Sequence, residues 1–411
     1  MGRLRHFHIR QGDPAPQTPA PAQRVENIGL PREVALLGRD IPGVRPRFVV
    51  TEGESVTCGQ TLFTDRKHHQ IAFVSPVSGI VSKLTYGSRR TLDLCVVTVA
   101  PENEKPSPHK MPDAAPREIL QARGMWPAFV TRPFGRMPAP DAVPDAIVVN
   151  AVHTSPQAPD PAGVLEGQRD AFHLGLSVLT KLTPADVFLC QSPGKPLGPE
   201  GGRIIHASFS GTMAAGLPGT QIDRLCPVDF GGAVWSVGYQ DVIAIGHLFG
   251  TGTYMARRVV SITGPQAATP KLVRSVLGTR LAELSEGGAV RILSGNQITG
   301  RNAQFLGRFD DQVTLLEPRP QAADPSRQAR RATILRPLIP SASMEKAVAT
   351  DTYAIPLARA LSVGDSDAAQ RLGCLGLIEE DVAALTRRCT SGTDYAAMLR
   401  RVLDELELDA A

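Results

Sequence analysis

Residues 45–84 read RPRFVVTEGESVTCGQTLFTDRKHHQIAFVSPVSGIVSKL, and this stretch decides the fold of the N-terminal part of the chain. It alternates short apolar runs with turn residues. Gly53, Gly59 and Gly79 stand where tight turns require a positive φ or a close backbone approach. Pro76 can end a strand but cannot lie in the middle of a hydrogen-bonded ladder. The pattern therefore predicts a small closed β unit built from short strands.

The predicted unit resembles the barrel-sandwich fold of biotinyl and lipoyl carrier domains. Such a fold would present the hairpin at 65–69 (DRKHH) to solvent, with Lys67 at the position that carriers modify. The carrier motifs place specific residues around that lysine, and Arg66 and His68 do not match them. A solvated turn is the simpler interpretation, and a carrier protein modified at Lys67 is kept as an alternative.

The composition of the 411-residue chain is typical of a multidomain globular protein. Apolar residues make up 42% and charged residues 20%, which is enough for ordinary cores. A net charge of +4 is too small to predict a nucleic-acid partner. The first sixteen residues, MGRLRHFHIRQGDPAP, lack the apolar core of a secretory signal, and no run of about 18 apolar residues predicts a direct membrane span.

Neither a metal site nor a catalytic site is predicted from residue spacing. The six cysteines occur singly and form no C-x-x-C pair, which argues against zinc and iron–sulfur ligation and favours reduced thiols in a cytoplasmic protein. No histidine pair has the i, i+4 spacing of a helical metal site, and no set of nucleophile, base and acid stands out. The residues considered are Cys58, Cys95, Cys190, Cys226, Cys374 and Cys389, with His68, His69, His153, His173, His206 and His247.

The middle of the chain, residues 113–255, predicts a Rossmann-like α/β domain. Residues 146–152 (AIVVNAV) have the character of a parallel strand buried on both faces. Asp160 before Pro161 predicts a helix start, and the helix would continue in an apolar stripe through Leu179. Further strands at 186–190 and 203–206 would complete a parallel sheet. No G-x-G-x-x-G follows the first strand, which indicates that the usual nucleotide site is absent.

The segment GHLFGTG at 246–252 could bring backbone N–H groups to a phosphate. It matches neither the P-loop nor the dinucleotide motif. A structural loop is therefore the preferred interpretation of this segment.

Residues 256–318 predict a small α+β module. Strands are expected at 258–265 and 290–295, with a short amphipathic helix at 272–284 between them. Linkers rich in proline are expected at 101–108 and 318–340. The N-terminal residues 1–28 are expected to form an extended lead-in to the barrel-sandwich unit, which would span 29–100.

Residues 341–408 predict a C-terminal helical domain. Asp365 would cap a helix that continues through Leu372. A second helix at 377–385 would carry acidic residues near its positive end. The apolar stripe of a third helix is Tyr395, Leu399, Val402 and Leu406.

A series of segments in this order resembles the A subunit of the Na⁺-translocating NADH:quinone oxidoreductase, the Nqr complex. The resemblance covers about residues 29–408. The segments are VALLGRDIPGVRPRFVVTEGESVTCGQTLFTDRK with SPVSGIV, WPAFVTRPFGRMP, GLSVLTKLTPADVFLCQ, GYQDVIAIGHLFGTG, VVSITGPQ with LVRSVLGTRL, LGRFDDQVTLLE, and VGDSDAAQRLGCLGLIEEDVAAL.

The resemblance implies a peripheral subunit on the cytoplasmic face of the bacterial inner membrane, with no catalytic residue, metal or redox centre of its own. The complex would use NADH, FAD, FMN, riboflavin, iron–sulfur and ubiquinone through other subunits. The partners implied are those subunits, above all the multi-span membrane subunit. An interaction with ubiquinone is also implied, without named residues. The module at 256–318 would be the SLBB-like β-grasp domain of the superfamily, which includes the C subunit of Rnf-type complexes.

The sequence departs from the family pattern at two places. The linker at 318–340 is shorter than the family's, and Cys389-Thr390-Ser391-Gly392 replaces the family's Cys-Pro-Gly-Lys.

Two alternative functions are kept. An Rnf-type electron-input subunit would need paired C-x-x-C-x-x-C motifs, which the sequence lacks, and a freestanding carrier protein would need a modified Lys67.

Overall fold

The computed structural model describes residues 5–17, 19–100, 113–199, 201–228, 231–285, 290–318 and 337–410. The linker expected at 101–108 and most of the linker expected at 318–340 lie outside these residues. The strands are β1 Arg5–Ile9, β2 Val25–Asn27, β3 Glu33–Leu37, β4 Pro46–Phe48, β5 Ser55–Val56, β6 Thr61–Asp65, β7 Ala72–Val74, β8 Gly79–Tyr86, β9 Leu92–Val99, β10 Val130–Arg132, β11 Ala146–Ala151, β12 Val187–Gln191, β13 Ile204–Gly211, β14 Val234–Gly238, β15 Arg257–Thr263, β16 Lys271–Val276, β17 Arg291–Ser294, β18 Arg301–Asn302 and β19 Gln312–Leu316. The α-helices are α1 Pro116–Ala122, α2 Pro161–Val164, α3 Arg169–Leu179, α4 Pro218–Leu225, α5 Tyr239–Thr251, α6 Ala342–Glu345, α7 Ala354–Val363, α8 Ser366–Arg371, α9 Ala383–Arg388 and α10 Tyr395–Asp409.

Two antiparallel sheets form the predicted closed β unit. One has the order β3-β9-β8-β5 and the other β4-β6-β7. Gly53 and Gly59 have φ values of +88° and +84°. A Cβ atom on Gly79 would lie 2.1 Å from the carbonyl oxygen of Thr98. The turn and close-approach roles expected of these glycines are therefore confirmed.

The second unit is a six-stranded sheet of order β1-β13-β12-β11-β14-β10, parallel except for β10. The expected strand–helix–strand unit is formed by β11, α3 and β12. The side chain of Asp160 accepts a hydrogen bond from the N–H of Ala162, which confirms the predicted helix start. That helix ends at Val164, and a turn at Gly167 (φ +77°) separates it from α3. The single helix expected here is therefore two helices.

The segment at 246–252 is not a loop, and this prediction was wrong. Its residues form the second half of α5, which ends at the left-handed Gly252. A Cβ atom on Gly246 would lie 1.7 Å from the carbonyl oxygen of Ala171, and one on Gly175 would lie 2.1 Å from that of Val242. The glycines therefore allow α3 and α5 to pack at backbone contact.

A mixed sheet of order β18-β17-β19-β15-β16-β2 forms the third unit. The helix expected at 272–284 is wrong, because the first part of this segment is β16. The spacing of apolar residues such as Val273 and Val276 fits a strand as well as a helix. The strand forms because β16 gains hydrogen bonds from β15 on one side and from β2 on the other. The strands expected at 258–265 and 290–295 are confirmed as β15 and β17.

The N-terminal residues do not form a separate lead-in, contrary to the prediction for 1–28. Strand β1 adds a parallel edge to the α/β sheet, and Phe7 stacks on Phe209 with ring centroids 5.0 Å apart. Strand β2 then pairs with β16 of the mixed sheet. Composition alone missed this because the pairing partners of both strands lie about 200 residues or more away in sequence.

The C-terminal helices α6–α10 enclose an apolar core of their own. Asp365 caps α8 by accepting a hydrogen bond from the N–H of Ala368, as predicted. The helix expected at 377–385 starts only at Ala383, because Asp381 Oδ2 accepts a hydrogen bond from the N–H of Ile378 and closes a turn there. The four residues of the predicted stripe on the last helix are all buried on α10: Tyr395, Leu399, Val402 and Leu406.

Candidate functional site

The topology of the α/β sheet defines one crevice as the candidate site. From β11 the chain moves outward through β12 and β13, and then returns to place β14 on the other side of β11. In open α/β sheets, ligands bind outside the carboxyl ends of the strands at such a reversal. The candidate site therefore lies between the turn that follows Ala151 and the start of α5 at Gly238.

The turn after β11 is held by hydrogen bonds within the α/β unit. The N–H of His153 donates to Oγ of Ser192 at 2.8 Å, and that hydroxyl donates to the carbonyl of His153 at 3.0 Å. At the end of the strand, the Asn150 side chain donates to the carbonyl of Gly216 and accepts from Gln221, both at 2.8 Å. These polar groups are therefore engaged by the protein on this side of the crevice.

The mixed sheet engages the first turn of α5 on the other side of the crevice. The Gln240 side chain donates to the carbonyl of Val259 at 2.9 Å and accepts from its N–H at 2.8 Å. Oδ1 of Asp241 accepts from Nη2 of Arg258 at 2.5 Å and from Nη2 of Arg308 at 3.1 Å. The positive end of a helix attracts negative charge, and at the start of α5 the carboxylate of Asp241 supplies that negative charge. The place where a phosphate would approach α5 is thus covered by Arg258 of β15 and by Arg308 of the loop before β19.

A second polar junction joins the barrel-sandwich unit to the mixed sheet. The carboxylate of Asp40 accepts from Nη2 of Arg301 at 3.1 Å and from the N–H of Arg308 at 2.8 Å. Burial raises the pKa of Asp40 to about 6, although the Arg301 charge acts in the opposite direction. The adjoining cleft, lined by residues that include Phe73 and Tyr254, has a volume of about 50 Å³. That volume holds only a few water molecules.

A third junction fixes the C-terminal helices on the α/β unit. The side chain of Arg132 is fully buried, with Nη2 at 3.4 Å from Oδ2 of Asp381 and 3.7 Å from Oε1 of Glu380. Burial, together with the Asp381 charge, raises the pKa of Glu380 to about 7. Nearby, Asp13 accepts from Arg388 at 2.6 Å, which ties the N-terminal segment to α9.

The lysine, histidine and cysteine side chains considered as candidates in the sequence do not come together in one site. Lys67 is exposed in the turn between β6 and β7, as expected. His206 Nε2 lies 2.9 Å from the carbonyl oxygen of Pro199, and His247 Nε2 lies 2.9 Å from Oγ1 of Thr253. Within the described ranges, no group of three His, Cys, Asp or Glu residues is placed to hold a metal ion. The six cysteines are unpaired.

The pairing of the charged residues at the three junctions was not predicted from the sequence. Asp241 and Arg258 are the closest pair along the chain, and most of the others meet partners more than 60 residues away. No spacing rule reveals such pairs. Glu380 and Asp381 carried a signal as acids near the start of the helix expected at 377–385. Asp241 carried the same kind of signal, which was hidden because the α5 segment had not been recognised as a helix.

Comparisons with known proteins agree with this architecture. Residues 7–100 match the family model described as NqrA N-terminal barrel-sandwich hybrid domain. Residues 111–254 match NqrA second alpha/beta domain, and residues 259–304 match NQRA C-terminal domain.

Two curated relatives illustrate the similarity over the whole chain, and both are named as the A subunit of a Na(+)-translocating NADH-quinone reductase. The protein from Cellvibrio japonicus is 37% identical over 442 aligned positions, and the one from Serratia proteamaculans is 38% identical over 443. Each alignment covers 97% of this chain and 99% of the relative. A solved NAD⁺-reducing [NiFe]-hydrogenase is 12% identical with a TM-score of 0.33, covering 64% of this chain and 54% of that one, which is too distant to support an argument.

Proposed function

The chain belongs to the family of A subunits of the Na⁺-translocating NADH-quinone reductases, and we propose from this membership that it acts as the scaffold of such a reductase. Its partners are then the other subunits of the complex, and its main contact is the multi-span membrane subunit. Its place is peripheral, on the cytoplasmic face of the bacterial inner membrane. Across the described ranges, the helices are too short or too polar to cross a bilayer.

The observation that supports a scaffold role is the covered start of α5. In open α/β sheets nucleotides are typically bound by a glycine turn after a central strand and by the positive end of a helix at the crevice. The carboxylate of Asp241 supplies the negative charge at the positive end of α5, where a phosphate would otherwise be attracted. The turn after Ala151 contains no glycine, because its first residues are Val152, His153 and Thr154. In the proposed function this chain holds no cofactor, and other subunits bind NADH, FAD, FMN, riboflavin and iron–sulfur.

Contact with ubiquinone remains a prediction for this chain. The cleft beside Asp40 has a mostly apolar lining, but its volume of about 50 Å³ is far below the roughly 300–1,000 Å³ of typical ligand pockets. Any quinone contact proposed here would therefore be completed by another chain of the complex.

In the proposed function, four units make up the scaffold. A barrel-sandwich hybrid over 29–100, a Rossmann-like α/β domain over 113–255, an SLBB-like β-grasp module over 256–318 and a helical domain over 341–408 form the scaffold. The buried ionic junctions between these units support this view, because they hold the units in one fixed arrangement.

The test is a comparison of the whole complex with the chain alone. The complex, purified from its own cells through a tag on this chain, should contain the multi-span subunit, flavin and iron. The chain expressed alone should contain neither flavin nor iron. Stoichiometric FMN or iron in the isolated chain would overturn the scaffold role in favour of an Rnf-type electron-input subunit. Failure to co-purify with any membrane subunit would overturn membership of a complex.

A further inference from the structure

One end of the barrel-sandwich unit carries a concentration of positive charge, here named the basic face. Its six basic side chains are all exposed, and among the described residues none of them forms an ion pair. The whole chain has a net charge of only +4, so the remainder of the surface is close to neutral or slightly acidic. The basic face consists of Arg45, Arg47, Arg66, Lys67, Arg89 and Arg90.

Backbone and ring contacts bring these residues together from three segments. The N–H of Arg66 donates to the carbonyl of Arg45 at 2.9 Å, which joins the β6–β7 turn to the start of β4. The rings of Phe48 and Tyr86 lie 5.4 Å apart, which joins the end of β4 to the β8–β9 hairpin. The face is therefore continuous over β4, the 66–67 turn and the 87–91 loop.

Apolar and aromatic groups lie among the charges. Tyr86 is 45% exposed, and Val49 is 55% exposed beside Arg47. The guanidinium carbon of Arg90 lies 5.6 Å from the centre of the Tyr86 ring. Tyrosine beside arginine is the pairing that favours the headgroup layer of a bilayer, where the ring meets the acyl boundary and the cation meets phosphate.

We propose that the basic face binds the surface of an anionic lipid bilayer. Juxtamembrane lysines and arginines each contribute to attraction by anionic headgroups, and six exposed cations on one face, none of them ion-paired among the described residues, combine these contributions. Two carboxylates lie on the same segments: Asp65, which is buried and accepts from the N–H of Lys67 at 3.3 Å, and Asp93, which accepts from the hydroxyl of Thr85 at 3.0 Å. The six cations outnumber these two carboxylates. The binding goes beyond the role in the reductase and does not depend on it, because it requires only this chain.

The test measures sedimentation of the purified full chain with phosphatidylcholine vesicles, with and without phosphatidylglycerol. Wild-type chain should bind only the anionic vesicles. Binding should weaken strongly between about 0.1 M and about 1 M salt, since the Debye length falls from about 10 Å to about 3 Å. This salt series needs no variant, so it tests the proposal even if a substitution disturbs folding.

A charge variant locates the binding. The triple variant R47Q/R89Q/R90Q should lower the partition coefficient roughly a hundredfold, at about a fivefold loss for each charge. The matched control R359Q/R371Q/R401Q removes the same charge from exposed arginines of the C-terminal helices and should bind like wild type. Tyr86→Ser should give a smaller loss.

Three outcomes would overturn the proposal. Equal binding to neutral and anionic vesicles would remove the electrostatic basis, and equal loss in both triple variants would show an effect of net charge alone. A chain that ignores anionic vesicles while R47Q/R89Q/R90Q no longer co-purifies with the complex would instead identify an acidic protein surface as the partner of the basic face.

Discussion

Arg258 on β15 donates to Asp241 in the first turn of α5 at 2.5 Å, and both side chains are less than a tenth exposed. The pair links the mixed sheet to the α/β unit at the crevice where related folds bind nucleotides. Arg308 reaches the same carboxylate oxygen at 3.1 Å. A single acidic side chain therefore balances two buried cations and covers the start of α5.

Asp241→Asn is expected to lower the free energy of unfolding by about 3–5 kcal/mol, because it leaves Arg258 buried without its countercharge and removes one of the acidic groups that face Arg308. Urea denaturation followed by tryptophan fluorescence would measure it. Glu33→Gln is the control, since Glu33 and Arg280 also join two units but are 28% and 46% exposed. That pair should contribute about 0–1 kcal/mol. Similar losses in the two variants would contradict the assignment.

Gly246→Ala is expected to destabilise the chain by about 1–3 kcal/mol, since the new methyl group would meet the Ala171 carbonyl oxygen at 1.7 Å and push α3 away from α5. Gly250→Ala on the same helix should raise stability by about 0.5–1 kcal/mol, because its nearest neighbour, a Leu174 methyl carbon, would be 3.6 Å away. Thermal unfolding compares them. Two variants that shift the melting temperature in the same direction would rule out the helix contact as the reason for Gly246.

The buried carboxyl group of Asp40 should make the stability of the folded chain depend on pH. Burial raises its pKa from 3.8 to about 6, so the folded chain binds this proton more tightly than the unfolded chain. The stability that Asp40 contributes is therefore highest below about pH 4 and falls as the pH rises towards about 6.

Denaturation of wild type and Asp40→Asn between about pH 4 and about pH 7 would measure this contribution. The stability of wild type relative to the variant should fall with rising pH by up to about 3 kcal/mol. A difference that rises with pH would contradict the raised pKa.

Lys67 is expected to carry no biotinyl or lipoyl group, since Arg66 and His68 do not form a carrier motif. The intact mass of the chain from its own cells should correspond to the 43.9 kDa of the sequence. An added mass that disappears in Lys67→Arg would instead support the carrier alternative.

Local sequence signals predicted most strands and the helix caps. Asp160 and Asp365 start helices through side-chain hydrogen bonds that depend only on neighbouring residues, and both predictions were correct. The 272–284 segment was misassigned because its apolar spacing suits either structure, and pairing with β15 and β2 selected the strand. The GHLFGTG segment was misassigned because Gly246 serves a close contact with α3 inside the helix, and only Gly252, at the end of the segment, has the left-handed backbone of a turn.

At the candidate site, local features could be predicted from the sequence, whereas contacts between distant segments could not. The missing glycine turn after β11 was visible in the sequence. What covers the crevice was not visible, because the arginines of β15 and of the loop before β19 meet Asp241 only when the mixed sheet docks on α5. The cations of the basic face likewise come from three separate segments.

The sequence by itself determined the order of the units, the barrel-sandwich turns and the family, because these depend on local patterns read along the chain. The tertiary structure decided the positions of β1 and β2, the packing of α3 on α5, and the ion pairs that join the units. Those features depend on which distant residues share a buried space, where an unpaired charge or an absent Cβ has its largest effect on free energy.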